Sequence, residues 1–160
     1  MFSLNRIEII GYQTQPLTVR KTPTGTSVVD ANLVVPYTFK NKEGTEQSGK
    51  SFYTVTLWGP MADTASQFIR PGSQVFFSGR LQTDSWDDTQ SGEKRSKTKV
   101  VALDMMLLDP RSGQIDSTNV PGILTQCFAK ANIIGNVTKD PEMRTTTSGT
   151  NVLSLGVATN

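Results

Sequence analysis

Hydrophobic and polar residues alternate with a period of two over most of the first 110 positions, the signature of half-buried strands. Residues 6–10 and 27–35 alternate in this way, and each run is bounded by Gly or Pro turn chemistry. A Gly-containing, charged stretch over 40–50 reads as a long hairpin loop. Residues 52–58 then divide cleanly, with Tyr53, Val55 and Leu57 on one face and Phe52, Thr54, Thr56 and Trp58 on the other. From Pro60 the spacing becomes helical, with Met61, Ala65, Phe68 and Ile69 on one stripe, Pro at the start and Gly72 past the end. Alternation resumes in Val75, Phe77, Gly79 and Leu81, with Arg80 and Trp86 on the polar side. Residues 88–93 form a turn, and a last strand covers 96–106. Three strands, a helix and two strands predict an all-β fold, a five-stranded OB-type barrel with one short helix.

The chain also repeats itself. At an offset of 124 residues, the distance from Gly11 to Gly135, Ile10 and Gly11 fall on Ile134 and Gly135, and Thr14 on Thr138. Arg20 falls on Arg144, Thr22 on Thr146, Gly25 and Thr26 on Gly149 and Thr150, and Val28 on Val152. A match of this many positions in one register predicts a tandem duplication. The expected organisation is one domain over 1–110, a Pro-, Gly- and Ser-containing linker over 111–125, and the N-terminal part of a second copy over 126–160. The second stretch is about a third of the first. It is expected to belong to a shortened domain, or to pair its strands with the first copy or another protomer.

Composition narrows the chemistry. The 160 residues carry a formal charge of +2 and only 19% charged residues, so polyanion affinity has to be built locally. One cysteine, Cys127, allows no intrachain disulfide and no structural zinc site by itself, and the absence of histidine excludes Ser-His-Asp catalysis. No P-loop, dinucleotide fingerprint or metal-ligand cluster is present, so no catalytic residue, metal or cofactor is expected. Asp87 and Asp88 stand side by side in a turn, where a solvated loop is expected and not paired-carboxylate acid/base work. No apolar run reaches the ~18 residues of a membrane helix, and the first residues lack a signal-peptide core, so a cytoplasmic location is expected.

Four aromatics, Phe39, Phe52, Trp58 and Trp86, fall on the wetter side of strands or at strand edges. Uncovered rings on several strands imply a flat partner, and unpaired nucleobases are such partners. The competing reading for the tryptophans is an edge ring packed under a loop or in a subunit interface. Candidate phosphate contacts are Arg6, Arg20, Lys40, Lys42, Arg80, Lys97 and Lys99, with Lys130 and Arg144 in the second copy. For each of these the alternative is a solvated strand face. Phe76 and Tyr53 read as core or interface residues.

The chain resembles the bacterial single-stranded DNA-binding protein family of the tandem-OB type, with a truncated second OB domain. The resemblance rests on residues 5–11 (NRIEIIG), 22–26 (TPTGT), 52–59 (FYTVTLWG), 72–81 (GSQVFFSGRL) and Trp86. In the second copy it rests on 132–144 (NIIGNVTKDPEMR) and 149–160 (GTNVLSLGVATN). It implies that Phe39, Phe52, Trp58 and Trp86 are the base-stacking rings. It also implies a non-enzymatic, sequence-tolerant binder that coats single-stranded DNA in replication, recombination and repair, and works as a dimer or tetramer. Phe stands at 39 and 52 where tryptophan is more usual in the family, and Tyr53 where His is frequent. The resemblance does not extend to the family's acidic C-terminal tail, which is not expected here, so recruitment of replication and repair proteins is an open expectation. Two alternatives from other classes are a protein-interaction OB module and an RNA-binding OB domain.

Overall fold

The computed structural model describes residues 2–108 and 127–159. The linker predicted over 111–125 lies outside the described residues. By their contacts the residues form two compact units: one is Ile7–Lys130, the other combines Met1–Arg6 with Ala131–Asn160.

The larger unit is a closed barrel. Its strands are β1 (Leu4–Gln13) from Ile7 onward, the short β2 (Arg20–Lys21), β3 (Ser27–Lys40) and β4 (Glu46–Trp58). The helix α1 (Gly59–Phe68) follows, then β5 (Gln74–Asp87) and β6 (Lys94–Leu107). Hydrogen-bonded neighbours run β3-β4-β6-β5-β1, and β1 pairs back onto β3 through Tyr12–Val34 and Gln13–Leu33, which closes the ring. β4 and β6 run parallel. Five barrel strands and a helix between the third and fourth are the OB arrangement expected from the alternation. Closure removes the free edges that an open sheet of these strands would expose.

One face of each strand fills the barrel. Ile9, Val29, Ala31, Leu33, Val55, Leu57, Val75 and Phe77 have no solvent exposure. The helix seals one end with Ala62, Ala65 and Ile69. It ends at Phe68, earlier than Gly72. Pro71 accounts for the early stop, since it has no N–H to continue the helix and disfavours helical backbone at Arg70. The Arg70 side chain then donates to the carbonyls of Ser66, Gln67 and Ile69, satisfying acceptors left at the helix end.

Two local expectations are corrected. The stretch 40–50 is not a long loop: the β3–β4 ladder continues without a shift to the pair Lys40–Glu46. The turn is confined to residues 41–45, where the Asn41 carboxamide oxygen accepts the amide N–H groups of Glu43 and Thr45, and Gly44 takes φ +78°. Residues 46–50 carry no apolar side chain on either face, which erases the period-two signal there although the pairing with 36–40 persists. Thr56, placed on the polar face, is only 2% exposed, and it is satisfied by a 2.8 Å hydrogen bond to Asp30.

The smaller unit contains the end of β7 (Phe128–Ile134), β8 (Asn136–Val137), β9 (Glu142–Thr145), β10 (Asn151–Ser154) and β11 (Val157–Ala158). β9 pairs with β10, and β8 with β11, both antiparallel. Its local geometry reproduces the larger unit at the same offset of 124. The Thr22 N–H bonds the Thr26 carbonyl at 2.9 Å, as Thr146 does Thr150, and Gly25 and Gly149 have φ of +84° and +79°. Thr14 N–H reaches the Asn32 carbonyl at 2.9 Å, and Thr138 N–H reaches that of Gly156 at 2.9 Å. Arg20 faces Val28 as Arg144 faces Val152. The repeat seen in sequence is thus a repeat in backbone hydrogen bonding. Among the described residues, no helix is long and apolar enough to cross a membrane as a helix.

A candidate nucleic-acid groove

The outer face of the β3–β4 ladder is set by register. Val28 faces Trp58, Asp30 faces Thr56, Asn32 faces Thr54 and Val34 faces Phe52. Cross-strand neighbours share a face, so Trp58 and Phe52 lie on one side of the sheet in a row with Thr56 and Thr54 between them. Six residues of strand separate the two rings by roughly 20 Å, so they serve different points along any ligand. Odd-numbered β3 residues face the other way. Leu33 and Val35 are core, and Tyr37 and Phe39 continue that face beyond the barrel, with ring centroids 6.1 Å apart.

A second wall comes from the β5–β6 hairpin. Register places Gln82 opposite Lys99, Asp84 opposite Lys97, and Trp86 opposite Arg95. Together the two walls enclose an open groove of about 550 Å³, lined by Arg20, Lys21, Val28, Asp30, Thr54, Thr56, Trp58, Asp84, Trp86, Lys97 and Lys99 among others. Both tryptophans of the chain are in it, half-exposed at 45% for Trp58 and 47% for Trp86. Trp58 is held there by position: it ends β4 and caps the helix, followed by Gly59 at φ +57° and Pro60 in the first turn.

The groove's cations are partly compensated. Arg20 is ion-paired with Asp30, and the Lys99 ammonium lies 2.6 Å from the Asp84 carboxylate. Hydrogen bonds from Lys99 first, and then Gln82, hold the Asp84 carboxyl below the usual aspartate range. Lys97 has no hydrogen-bond or ion-pair partner among the described residues, so its charge is available. The floor is mixed: Val28 supplies apolar contact, while Asp30 and Asn32 accept from Thr56 and Thr54 at 2.8 and 3.1 Å. Rings, an apolar strip and cations above a hydrogen-bonded polar floor can stack bases and neutralise phosphates. Among the described residues, no group of carboxylates and thiols is arranged to hold a metal ion.

Of the sequence candidates, the groove gathers Trp58, Trp86, Arg20, Lys97 and Lys99. Phe52, 72% exposed, lies further along the same face of the sheet as Trp58. Phe39 stands on the opposite face of the β3–β4 hairpin, with Lys40 and Lys42 at its tip. Arg80 shares a face of β5 with Trp86 by parity but lies outside the lining. Arg6, on β1, and Arg144, which pairs with Glu142 at 3.1 Å, belong to the smaller unit. Lys130 is exposed on β7. Asp88 is ion-paired with Arg95 at 2.7 Å, in keeping with a turn. Phe76 and Tyr53 are partly buried, and Tyr53 packs on the core. The sequence reading missed Lys21, a groove residue adjacent to Arg20. The adjacent basic pair just before the Thr-Pro-Thr-Gly turn was the available signal.

Comparison with known proteins gives one family. Residues 4–108 match the model of the single-strand binding protein family. The single-stranded DNA-binding protein 1 of Chlorobaculum tepidum is 38% identical over 105 residues, covering 66% of this chain and 65% of its own length. The crystal structure of the wild-type single-stranded DNA binding protein from Thermus aquaticus superposes with a TM-score of 0.79 at 30% identity, covering 100% of this chain and 70% of that one. A Plasmodium falciparum SSB solved with ssDNA shares the fold at TM-score 0.63 and 19% identity, covering 68% of this chain and 98% of that one. The chain thus spans just under two thirds of the Chlorobaculum relative's length. With the OB barrel, the aromatic and basic groove and the match over 4–108 in agreement, the chain belongs to the single-strand binding protein family.

Proposed function

We propose that this chain binds and protects single-stranded DNA without sequence preference and without catalysis, in replication, recombination and repair, at the cytoplasmic nucleoid. The observation that carries this is the convergence of both tryptophans with Arg20, Lys21, Lys97 and Lys99 in one open groove. Bases stack on Trp58 and Trp86 in the groove, on Phe52 further along the same face, and on Phe39 where the strand rounds the hairpin. Phosphates meet Lys97, Arg20 and Lys99 first, and Lys40, Lys42 and Arg80 along the outer path. Lys130, and Arg6 and Arg144 within the smaller unit, are further phosphate contacts. Residues 126–160 act as part of a second OB repeat, a reading supported by the repeated hydrogen bonds at the offset of 124, and the chain works as a dimer or tetramer.

The experiment is titration with oligo-dT while following tryptophan fluorescence, with oligo-rU as competitor. Strong quenching that weakens as salt rises supports the proposal. Absence of quenching favours a protein-interaction module, and preferential displacement by rU favours an RNA partner. Light scattering on the eluted protein reads the subunit number, and a mass of one subunit overturns the multimer.

A further inference from the structure

At the edge of the groove three polar side chains form a single hydrogen-bonded series. The Lys21 ammonium donates to Ser27 Oγ at 2.6 Å, and Ser27 Oγ donates to Asp63 Oδ1 at 2.5 Å. Chemistry fixes this direction, because an ammonium only donates and a carboxylate only accepts. Lys21 and Ser27 are opposite each other on β2 and β3, whereas Asp63 is on α1, so the series links three elements. Ser27 is 3% exposed, which makes its hydroxyl a fixed anchor for a flexible side chain.

The contrast with the neighbouring cations is informative. Arg20 and Lys99 each touch a carboxylate that itself lines the groove. The carboxylate behind Lys21 is one hydroxyl further away and outside the groove lining. Lys21 therefore keeps two N–H donors for a ligand, and much of the ordering cost of a long side chain is already met.

Resting on the reading of the groove as a single-strand site, we infer that Lys21 is a pre-positioned phosphate contact and that Ser27 and Asp63 are its positioning residues. The test is oligo-dT affinity across a range of salt for the wild type, Lys21→Ala, Ser27→Ala, Asp63→Asn, the Lys21→Ala/Asp63→Asn double variant and Trp86→Ala, with melting curves confirming that each is folded. Lys21→Ala should weaken binding about three- to tenfold and reduce the slope of log affinity against log salt by about 0.7. Asp63→Asn should weaken binding about two- to fourfold in the wild type and add nothing in the Lys21→Ala background, because the two act as one unit. The inference is overturned if Lys21→Ala keeps wild-type affinity and slope while Trp86→Ala weakens, or if Asp63→Asn costs the same in both backgrounds. Failure of the wild type itself to bind oligo-dT overturns the reading of the groove.

Discussion

Lys99 and Asp84 are diagonal neighbours across the β5–β6 ladder, and the ammonium lies 2.6 Å from the carboxylate at the margin of the groove. The groove therefore holds an internal competitor for any phosphate that approaches Lys99. Asp84→Asn removes the competitor and keeps the shape. Its affinity for oligo-dT should rise about two- to fivefold at low salt, with the gain shrinking as salt screens the charges. Weaker binding by this variant in a salt-dependent titration would show that Asp84 assists the ligand.

Phe52 and Phe39 separate by oligonucleotide length. Phe52 shares the outer face with Trp58, whereas Phe39 is on the other side of the hairpin. Phe52→Ala should weaken binding of an oligo-dT of about eight nucleotides, within the size one OB fold holds, by the ~1–3 kcal/mol of a lost stacking contact. Phe39→Ala should leave that short ligand unchanged and weaken only one long enough to round the hairpin. Anisotropy titrations with both lengths distinguish the two, and equal losses on the short ligand would contradict the register argument.

Affinity should be flat between about pH 6 and 8. The chain has no histidine, and burial lifts the Cys127 thiol above its ordinary value. The Asp84 carboxyl titrates below the ordinary ~3.9 of an aspartate. With the folded value depressed, the Lys99–Asp84 contribution to stability is complete above the ordinary value and is lost as pH falls through the depressed one. Melting curves of wild type and Asp84→Asn should thus differ at neutral pH and converge on acidification. A difference that persists in strong acid would assign it to another cause.

Two glycines make a contrasting pair. A Cβ on Gly79 would lie 2.2 Å from the Val101 carbonyl oxygen, at the register shift in the β5–β6 ladder. Backbone cannot step aside, so Gly79→Ala should cost about 3 kcal/mol or more and lower the melting temperature by roughly 10–20 °C. A Cβ on Gly49 meets the far end of the Tyr37 ring at 2.5 Å, and that ring is free to swing outward. Gly49→Ala should cost under about 1 kcal/mol by the same melting assay. Equal shifts would mean that the barrel tolerates strand displacement at Gly79.

Much of this architecture could be read from residue order, because barrel strands buried on one face carry their own period. Tyr53, Val55 and Leu57 against Phe52, Thr54 and Trp58 is the plainest case. Reading stopped where burial stopped. Beyond Val35 only β3 keeps apolar residues, Tyr37 and Phe39; its partner residues 46–50 are polar or glycine, so the continuation of the ladder to Lys40 and Glu46 left no hydrophobic trace on β4. Parity along that hidden ladder is what sets Phe39 apart from Phe52. The groove's cations were equally hard to rank. Arg80 shares parity with Trp86, yet Lys21 and Lys97 are the ones brought into the groove, because sheet curvature and the short β2 are tertiary features.

The central claim is that Trp58 and Trp86 work in one groove as stacking surfaces for unpaired bases. The most direct measurement is the oligo-dT affinity of Trp58→Ala and Trp86→Ala, with circular dichroism confirming an intact barrel. Each variant should bind about 5- to 150-fold more weakly, the equivalent of ~1–3 kcal/mol per stacked base, and the remaining tryptophan should still be quenched at saturation. Wild-type affinity in both variants would contradict the account.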